Sequence, residues 1–241
     1  MPAVLVHGVP DTYRLWNAAR SHLSRKDVVT PSLPGFDSPT PDGWTATKEE
    51  YIDWLIGEVE KIGEPVDIVG HDWGALLTAR FVSLRPDLVR TWALGAGAID
   101  DAYVWHDMAR SWQTPGMGEQ VMQAMSGPAL EAGLAGGGVP ATDAAETASH
   151  IDETMKDCIL KLYRSAVNVG TEWQSDTKNM TQRPGLMIWG GKDPYMQVEF
   201  ARKMSERTGA RLLVFDDSSH WWPLEKPAEV AQALEDFWAS A

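Results

Sequence analysis

At 241 residues the chain is long enough for one large domain with a substantial core and an inserted segment. A formal charge of −13 argues against nucleic acid and anionic membrane surfaces as partners, and no run of about 18 or more apolar residues suggests a membrane span. The single cysteine, Cys158, rules out an intrachain disulfide and suits a reducing, cytoplasmic setting, and the first residues read as a core strand rather than a signal peptide.

Short β-rich runs alternate with amphipathic stretches, the pattern of a parallel α/β sheet. Strands are predicted at residues 3–6, 27–31, 66–70, 91–95, 186–189 and 211–215. Several are continuous apolar runs, as expected of strands buried on both faces. Apolar residues at helical spacing predict helices at 47–62, 73–84 and 226–238. Between residues 99 and 182 the alternation stops: there is no convincing strand, but there are helical segments rich in Met, Ala and Trp, and a flexible Gly-Gly-Gly at 136–138. The expected organisation is a core of residues 1–98 and 183–241 with a helical lid, 99–182, over the C-terminal ends of the strands, where open α/β sheets bind ligands.

Three polar residues follow predicted strands at that same edge. Asp72 stands in Gly70-His71-Asp72-Trp73-Gly74, Asp193 in Gly190-Gly191-Lys192-Asp193-Pro194, and His220 in the loop after residues 211–215. Each has a plain structural reading: Asp72 as a helix N-cap, Asp193 as a turn residue, His220 as a packed histidine. Their order (nucleophile, acid, histidine) and their strand-end positions are those of a catalytic triad, with Gly70 and Gly74 allowing a sharp elbow. On these residues the chain resembles the α/β-hydrolase superfamily over nearly its whole length. The resemblance implies an oxyanion hole from the backbone N–H groups of Val9, in Val6-His7-Gly8-Val9-Pro10-Asp11, and Trp73.

Aspartate at the elbow changes the reaction. Attack on acyl carbon would give an anhydride, whereas attack on saturated carbon gives an ordinary alkyl ester that His220-activated water can hydrolyse. The chemistry requires no cofactor and no metal, and it selects small apolar epoxides or alkyl halides as substrates. The chain is similar to the epoxide hydrolases and to the haloalkane and haloacetate dehalogenases of that superfamily.

Three segments resemble the epoxide hydrolases. Ser219-His220-Trp221-Trp222-Pro223-Leu224-Glu225-Lys226-Pro227 is similar to their "GHW…EKP" ending, with Ser in place of Gly. Trp112-Gln113-Thr114-Pro115-Gly116-Met117-Gly118-Glu119 is similar to the "FQxPGxAE" lid segment, and Leu162-Tyr163-Arg164 to the "YR" that carries a proton-donating lid tyrosine. The partner tyrosine is missing: Asp107, Met108 and Ala109 stand there, and the nearest donors are His106, the leading substitute, and Tyr103. For the halide alternative, Trp73 and Trp112 offer indole N–H donors. Against it stand Val9 where haloalkane dehalogenases often carry Asn, no carboxylate at 95–98, and Trp73 where haloacetate dehalogenases usually have Arg. A cofactor-independent oxygenase or a binding protein on the same fold are the remaining alternatives.

Relatives begin with two further strands before the "HGxP" strand, so the N-terminal strands of the usual fold are expected to be missing here. The strand at 27–31 is therefore expected near a sheet edge, protected by homodimerisation.

Overall fold

The computed structural model describes residues 1–241. Six strands form one parallel sheet: β1 (Ala3–Val6), β2 (Val28–Val29), β3 (Val66–His71), β4 (Val89–Gly95), β5 (Gly185–Gly190) and β6 (Arg211–Phe215), in the order β2-β1-β3-β4-β5-β6. The chain leaves β1 for β2 on one side, then crosses to β3 on the other. The switch point between β1 and β3 opens a crevice at the strands' C-terminal ends. Val6 pairs with Gly70 there, so the loops after both strands start side by side.

β1, β3 and β5 are buried along their whole length, which accounts for their unbroken apolar runs. The predicted strand at 27–31 is shorter than expected. Only Val28 and Val29 pair with β1, they form the sheet edge, and Val29 is exposed. A two-residue edge offers little backbone for unwanted pairing.

The helices in chain order are α1 (Asn17–His22), α2 (Lys48–Glu60), α3 (Trp73–Leu84), α4 (Asp107–Gln113), α5 (Met117–Ala124), α6 (Gly127–Gly137), α7 (Ala141–His150), α8 (Glu153–Ser165), α9 (Val169–Trp173), α10 (Val198–Thr208), α11 (Trp222–Glu225) and α12 (Pro227–Ala239). α2 starts at an ordinary N-cap, with the Thr47 hydroxyl accepting from Glu50 N–H and Glu49 and Glu50 in the first turn. α3 is apolar nearly all round and buried, as a helix against the centre of the sheet must be.

Between β4 and β5 there are only helical elements, α4 to α9 and a 3₁₀ stretch at Gln174–Gln182. The Gly-Gly-Gly read as flexible is otherwise: Gly136 and Gly137 form the last turn of α6, and Gly138 ends it in the left-handed region at φ +112°. No helix is long and apolar enough to cross a membrane.

Candidate active site

Asp72 sits between β3 and α3 at φ +53°, ψ −121°, a backbone conformation that aspartate rarely adopts. Its side chain makes no capping bond to α3, so the N-cap reading does not hold. The turn is tight enough to need glycine on both sides: a Cβ on Gly70 would lie 2.2 Å from the Gly74 carbonyl oxygen, and one on Gly74 2.3 Å from that of Val6. Across the switch point, Gly8 lets the loop after β1 come close, and Val9 N–H donates to Asp72 Oδ1 at 2.7 Å. His7 holds that loop: its Nε2 accepts from Leu33 N–H at 3.0 Å and its Nδ1 bonds the Gly8 carbonyl at 2.9 Å. Burial lowers the His7 pKa to about 4, so the ring is neutral and this pattern fixes one tautomer.

His220 Nδ1 donates to Asp193 Oδ2 at 2.9 Å, and its Nε2 lies 3.6 Å from Asp72 Oδ2. Asp193 makes two sets of contacts. Oδ2 holds the histidine, while Oδ1 accepts from the N–H groups of Tyr195 and Met196 and closes the turn. Burial works to lower the His220 pKa, but the carboxylates of Asp193 and Asp72 overcome it and raise it to about 10. Burial likewise works against ionisation of Asp72, yet the nearby His220 imidazolium, with Val9 N–H, holds its carboxyl below the usual range. In the resting site Asp72 is an anion beside an imidazolium.

His71, absent from the candidate residues, anchors this arrangement from behind. Its Nε2 bonds the His220 carbonyl at 2.9 Å, and burial holds it neutral, with a pKa lowered to about 4.

Above Asp72 and His220 lies a cavity of about 370 Å³, mostly apolar, whose far wall comes from α5 and α6. Of the expected residues, Val9, His106, Trp112 and Tyr163 line it. Tyr163 is 3% exposed and meets the rings of Trp73 and Trp112 edge-on at 5.4 and 4.9 Å. Burial, with the Asp72 charge, raises its pKa well above the ordinary phenol value, so it carries a proton. The two lid segments picked out in the sequence are tied together here, because Arg164 Nη2 donates to Glu119 Oε2 at 2.9 Å. His106 Nδ1 caps α4 by accepting from Ala109 N–H at 3.3 Å, which leaves the proton of the neutral ring on Nε2. Burial lowers its pKa, so it is a neutral donor.

Tyr103 stands apart from the large cavity, and its hydroxyl donates to the Tyr195 carbonyl at 3.1 Å. It borders a much smaller space, about 20 Å³, together with Trp73 and Trp105. The residue missed in its place is Tyr195, whose ring lies 5.0 Å from those of both His106 and His220 and lines both spaces. Its position two residues after Asp193, just past a strand end, was the available signal. Asp11 was also missed: fully buried beneath the site, it accepts from Trp221 Nε1 at 3.0 Å, and burial raises its pKa to about 7.

The sequence model described as "Alpha/beta hydrolase family" matches residues 3–233. The AB hydrolase superfamily protein YfhM of Bacillus subtilis (strain 168) is 25% identical over 97% of this chain and 88% of its own length. Epoxide hydrolase 2 of Siraitia grosvenorii is 35% identical, over 37% of this chain and 30% of that protein. Among solved structures, the haloalkane dehalogenase DbeA from Bradyrhizobium elkani USDA94 covers 100% of this chain and 91% of its own, with a TM-score of 0.81 at 17% identity, a likeness of fold. With a family model spanning nearly every residue, and a six-stranded parallel sheet with its elbow at the switch point, the chain belongs to the alpha/beta hydrolase family.

Proposed function

We propose that the chain is an epoxide hydrolase, opening an epoxide to a vicinal diol through an alkyl ester of Asp72. The observation that carries this reading is an ionised carboxylate, rather than a hydroxyl or thiol, at a strained elbow facing an apolar cavity lined by a protonated phenol. A carboxylate is suited to saturated carbon, and a proton donor is needed where ring opening places charge on oxygen.

Oδ1 of Asp72 is held by Val9 N–H, so Oδ2 is the free nucleophile. It attacks an epoxide carbon, the C–O bond breaks, and its electron pair goes to the ring oxygen, which takes a proton from Tyr163 while His106 Nε2–H donates a hydrogen bond. Esterification removes the negative charge of Asp72, one of the two anions that raise the His220 pKa. The imidazole then loses its proton to solvent and becomes a base. In the second step His220 takes a proton from water as the water oxygen adds to Cγ of Asp72. The charge that develops on Oδ1 is held by the N–H groups of Val9 and Trp73. Collapse breaks the ester bond, and the departing alkoxide takes the proton from His220. The Asp72 carboxylic acid left behind returns its proton to the imidazole, and the Tyr163 phenolate regains from solvent the proton that the imidazolium released. Asp193 orients the ring and stabilises its charged form throughout. The sum is epoxide plus water giving diol. Helices α4 to α8 act as the lid that keeps bulk water from the ester. The similarity to an epoxide hydrolase over part of the chain supports the reading.

A second reading, dehalogenation, has its own observation: the buried indole Nε1 groups of Trp112, at the main cavity, and Trp73, at the small space beside Asp72, have no hydrogen-bond partner and are two candidate donors to a halide. The two readings separate on a matched panel of epoxides and alkyl halides, scored for diol against released halide. Diol without halide is expected; halide without diol would establish the second reading instead. With His220→Gln, mass spectrometry is expected to find a trapped adduct on Asp72 weighing as much as the intact epoxide. An adduct on another residue overturns the mechanism.

A further inference from the structure

Given the epoxide reading above, on which this inference rests, we infer that the site takes uncharged terminal epoxides on an apolar body, and that Gly133 sets how large that body can be.

Charge is the first argument. The ionisable side chains lining the main cavity are Asp72, His106, Tyr163, Tyr195 and His220, with no lysine or arginine among them. A carboxylate or phosphate on the substrate would meet the Asp72 anion in a largely apolar cavity whose one cation, the His220 imidazolium, is already held between Asp72 and Asp193. Polarity is also one-sided. All five of these groups cluster where the elbow is, while the wall built from α5 and α6 (Val121, Ala124, Met125, Leu130, Leu134) carries no polar side chain. A molecule matching that distribution has its one polar group at an end.

The space around Asp72 gives the same orientation. On one side lies the cavity of about 370 Å³, large enough for a small-molecule body. The adjoining space that shares all five polar residues with it has about 20 Å³, room for roughly one water. Trp73 and Trp105, stacked at 5.9 Å, and Tyr103, bonded to the Tyr195 carbonyl, close it. The cavity beyond, lined by Leu76, Trp105 and Val169 as well as by Asp100, Asp101 and Asn168, is separated from Asp72 by that small closed space. An epoxide carbon seated on Asp72 can therefore carry a long substituent in one direction only.

At the other end, α6 presents Ala129, Leu130, Gly133, Leu134 and Gly137 to the cavity, one helical face. Gly137 has a packing reason to lack a side chain, since a Cβ there would lie 2.6 Å from Tyr195 Oη. Gly133 has none: a Cβ there would meet nothing within 4 Å. Glycine weakens a helix interior relative to alanine, and at position 133, an exposed residue of the cavity lining, its visible consequence is open space at the cavity's mouth. Gly136 is equally free of neighbours but does not line the cavity, so it serves as the control.

The experiment compares a ten-carbon epoxide with the ring at the end, its mid-chain isomer, and a four-carbon terminal epoxide. The wild type is expected to open the ten-carbon terminal epoxide with at least tenfold higher kcat/KM than the mid-chain isomer. Equal turnover of the two isomers overturns the inference. Gly133→Leu is expected to lower the long-to-short kcat/KM ratio by tenfold or more, whereas Gly136→Leu leaves it unchanged. A ratio that Gly133→Leu does not move, or that both variants move alike, refutes the role of Gly133. The isomer comparison uses the wild type alone and stands even if a variant fails to fold. End- and mid-chain bromides of the same carbon skeletons complete the panel. Bromide release without any diol defeats the epoxide reading, and the terminal-site inference is then judged on the bromides by the same ratio. No turnover of either set defeats both.

Discussion

Strand β3 carries one fully buried aspartate at its start and leads into a half-buried one just past its end. Asp67 is fully buried, and its carboxylate accepts from Arg25 Nη1 at 2.9 Å, Arg90 Nε and Nη2 at 2.7 and 2.6 Å, and the Thr91 hydroxyl at 2.6 Å. Every favourable direction around it is filled, so it fastens the N-terminal end of the sheet and has no lone pair free for chemistry. Asp72, five positions on, has a single backbone N–H on one oxygen and an imidazole 3.6 Å from the other, beyond hydrogen-bond distance. It also sits on strained backbone, where Asp67 lies in regular strand. The same residue type at the two ends of one strand is thus fastened where its partners are complete and, under the proposed function, reactive where they are withheld.

The largest effect that would test this contrast is at Asp72. Under the proposed function Asp72→Gly is expected to reduce turnover by about 10⁴-fold or more, since it removes the proposed nucleophile. The same change should raise Tm, because glycine accepts φ +53° and releases backbone strain on the order of 1–3 kcal/mol. A lower Tm would show that Asp72 contributes to stability after all. The mirror experiment is Asp67→Asn, which leaves two largely buried guanidinium groups short of an anion. A loss of about 3 kcal/mol in denaturant unfolding is expected, with activity per folded molecule unchanged. Unaltered stability would mean that the network at Asp67 is dispensable.

Tyr163→Phe probes the reactive end more finely. Under the epoxide reading it is expected to slow ring opening by roughly 10²-fold in single-turnover kinetics while hydrolysis of the ester proceeds at its former rate. Equal slowing of both steps would reduce Tyr163 to a packing residue. The smallest effect concerns Asp11, a buried carboxyl lacking the cations that surround Asp67. Its pKa is raised from 3.8 to about 7, so the protonated form is favoured by folding. The stability this gives is complete below pH 3.8 and is lost as pH rises through about 7. Asp11→Asn, which keeps an acceptor for Trp221 Nε1, is expected to raise Tm at pH 8 by roughly 2–4 °C and to leave it unchanged at pH 4. A Tm gain at pH 4 equal to that at pH 8 would dissociate Asp11 from the titration.

Much of this molecule is legible in one dimension. Continuous apolar runs mark β1, β3 and β5 because strands covered on both faces need apolar residues at every position. The Gly70–Gly74 spacing marks the elbow because no side chain fits there. The order Asp72, Asp193, His220 locates the reactive edge because the fold sets each after a parallel strand. What periodicity does not contain is which distant groups meet. Asp11 and Trp221 are 210 positions apart, and His71 and the His220 carbonyl 149. Tyr103 was a candidate by proximity in the chain, but the fold turns its hydroxyl onto a backbone carbonyl and brings Tyr195 to the cavity instead. The sequence by itself determined the strands, the elbow and the identity of its carboxylate, since these follow from local burial and local sterics. Only the tertiary structure decided which of the two aspartates at the ends of one strand keeps an oxygen free of hydrogen bonds, because that depends on partners supplied by other elements.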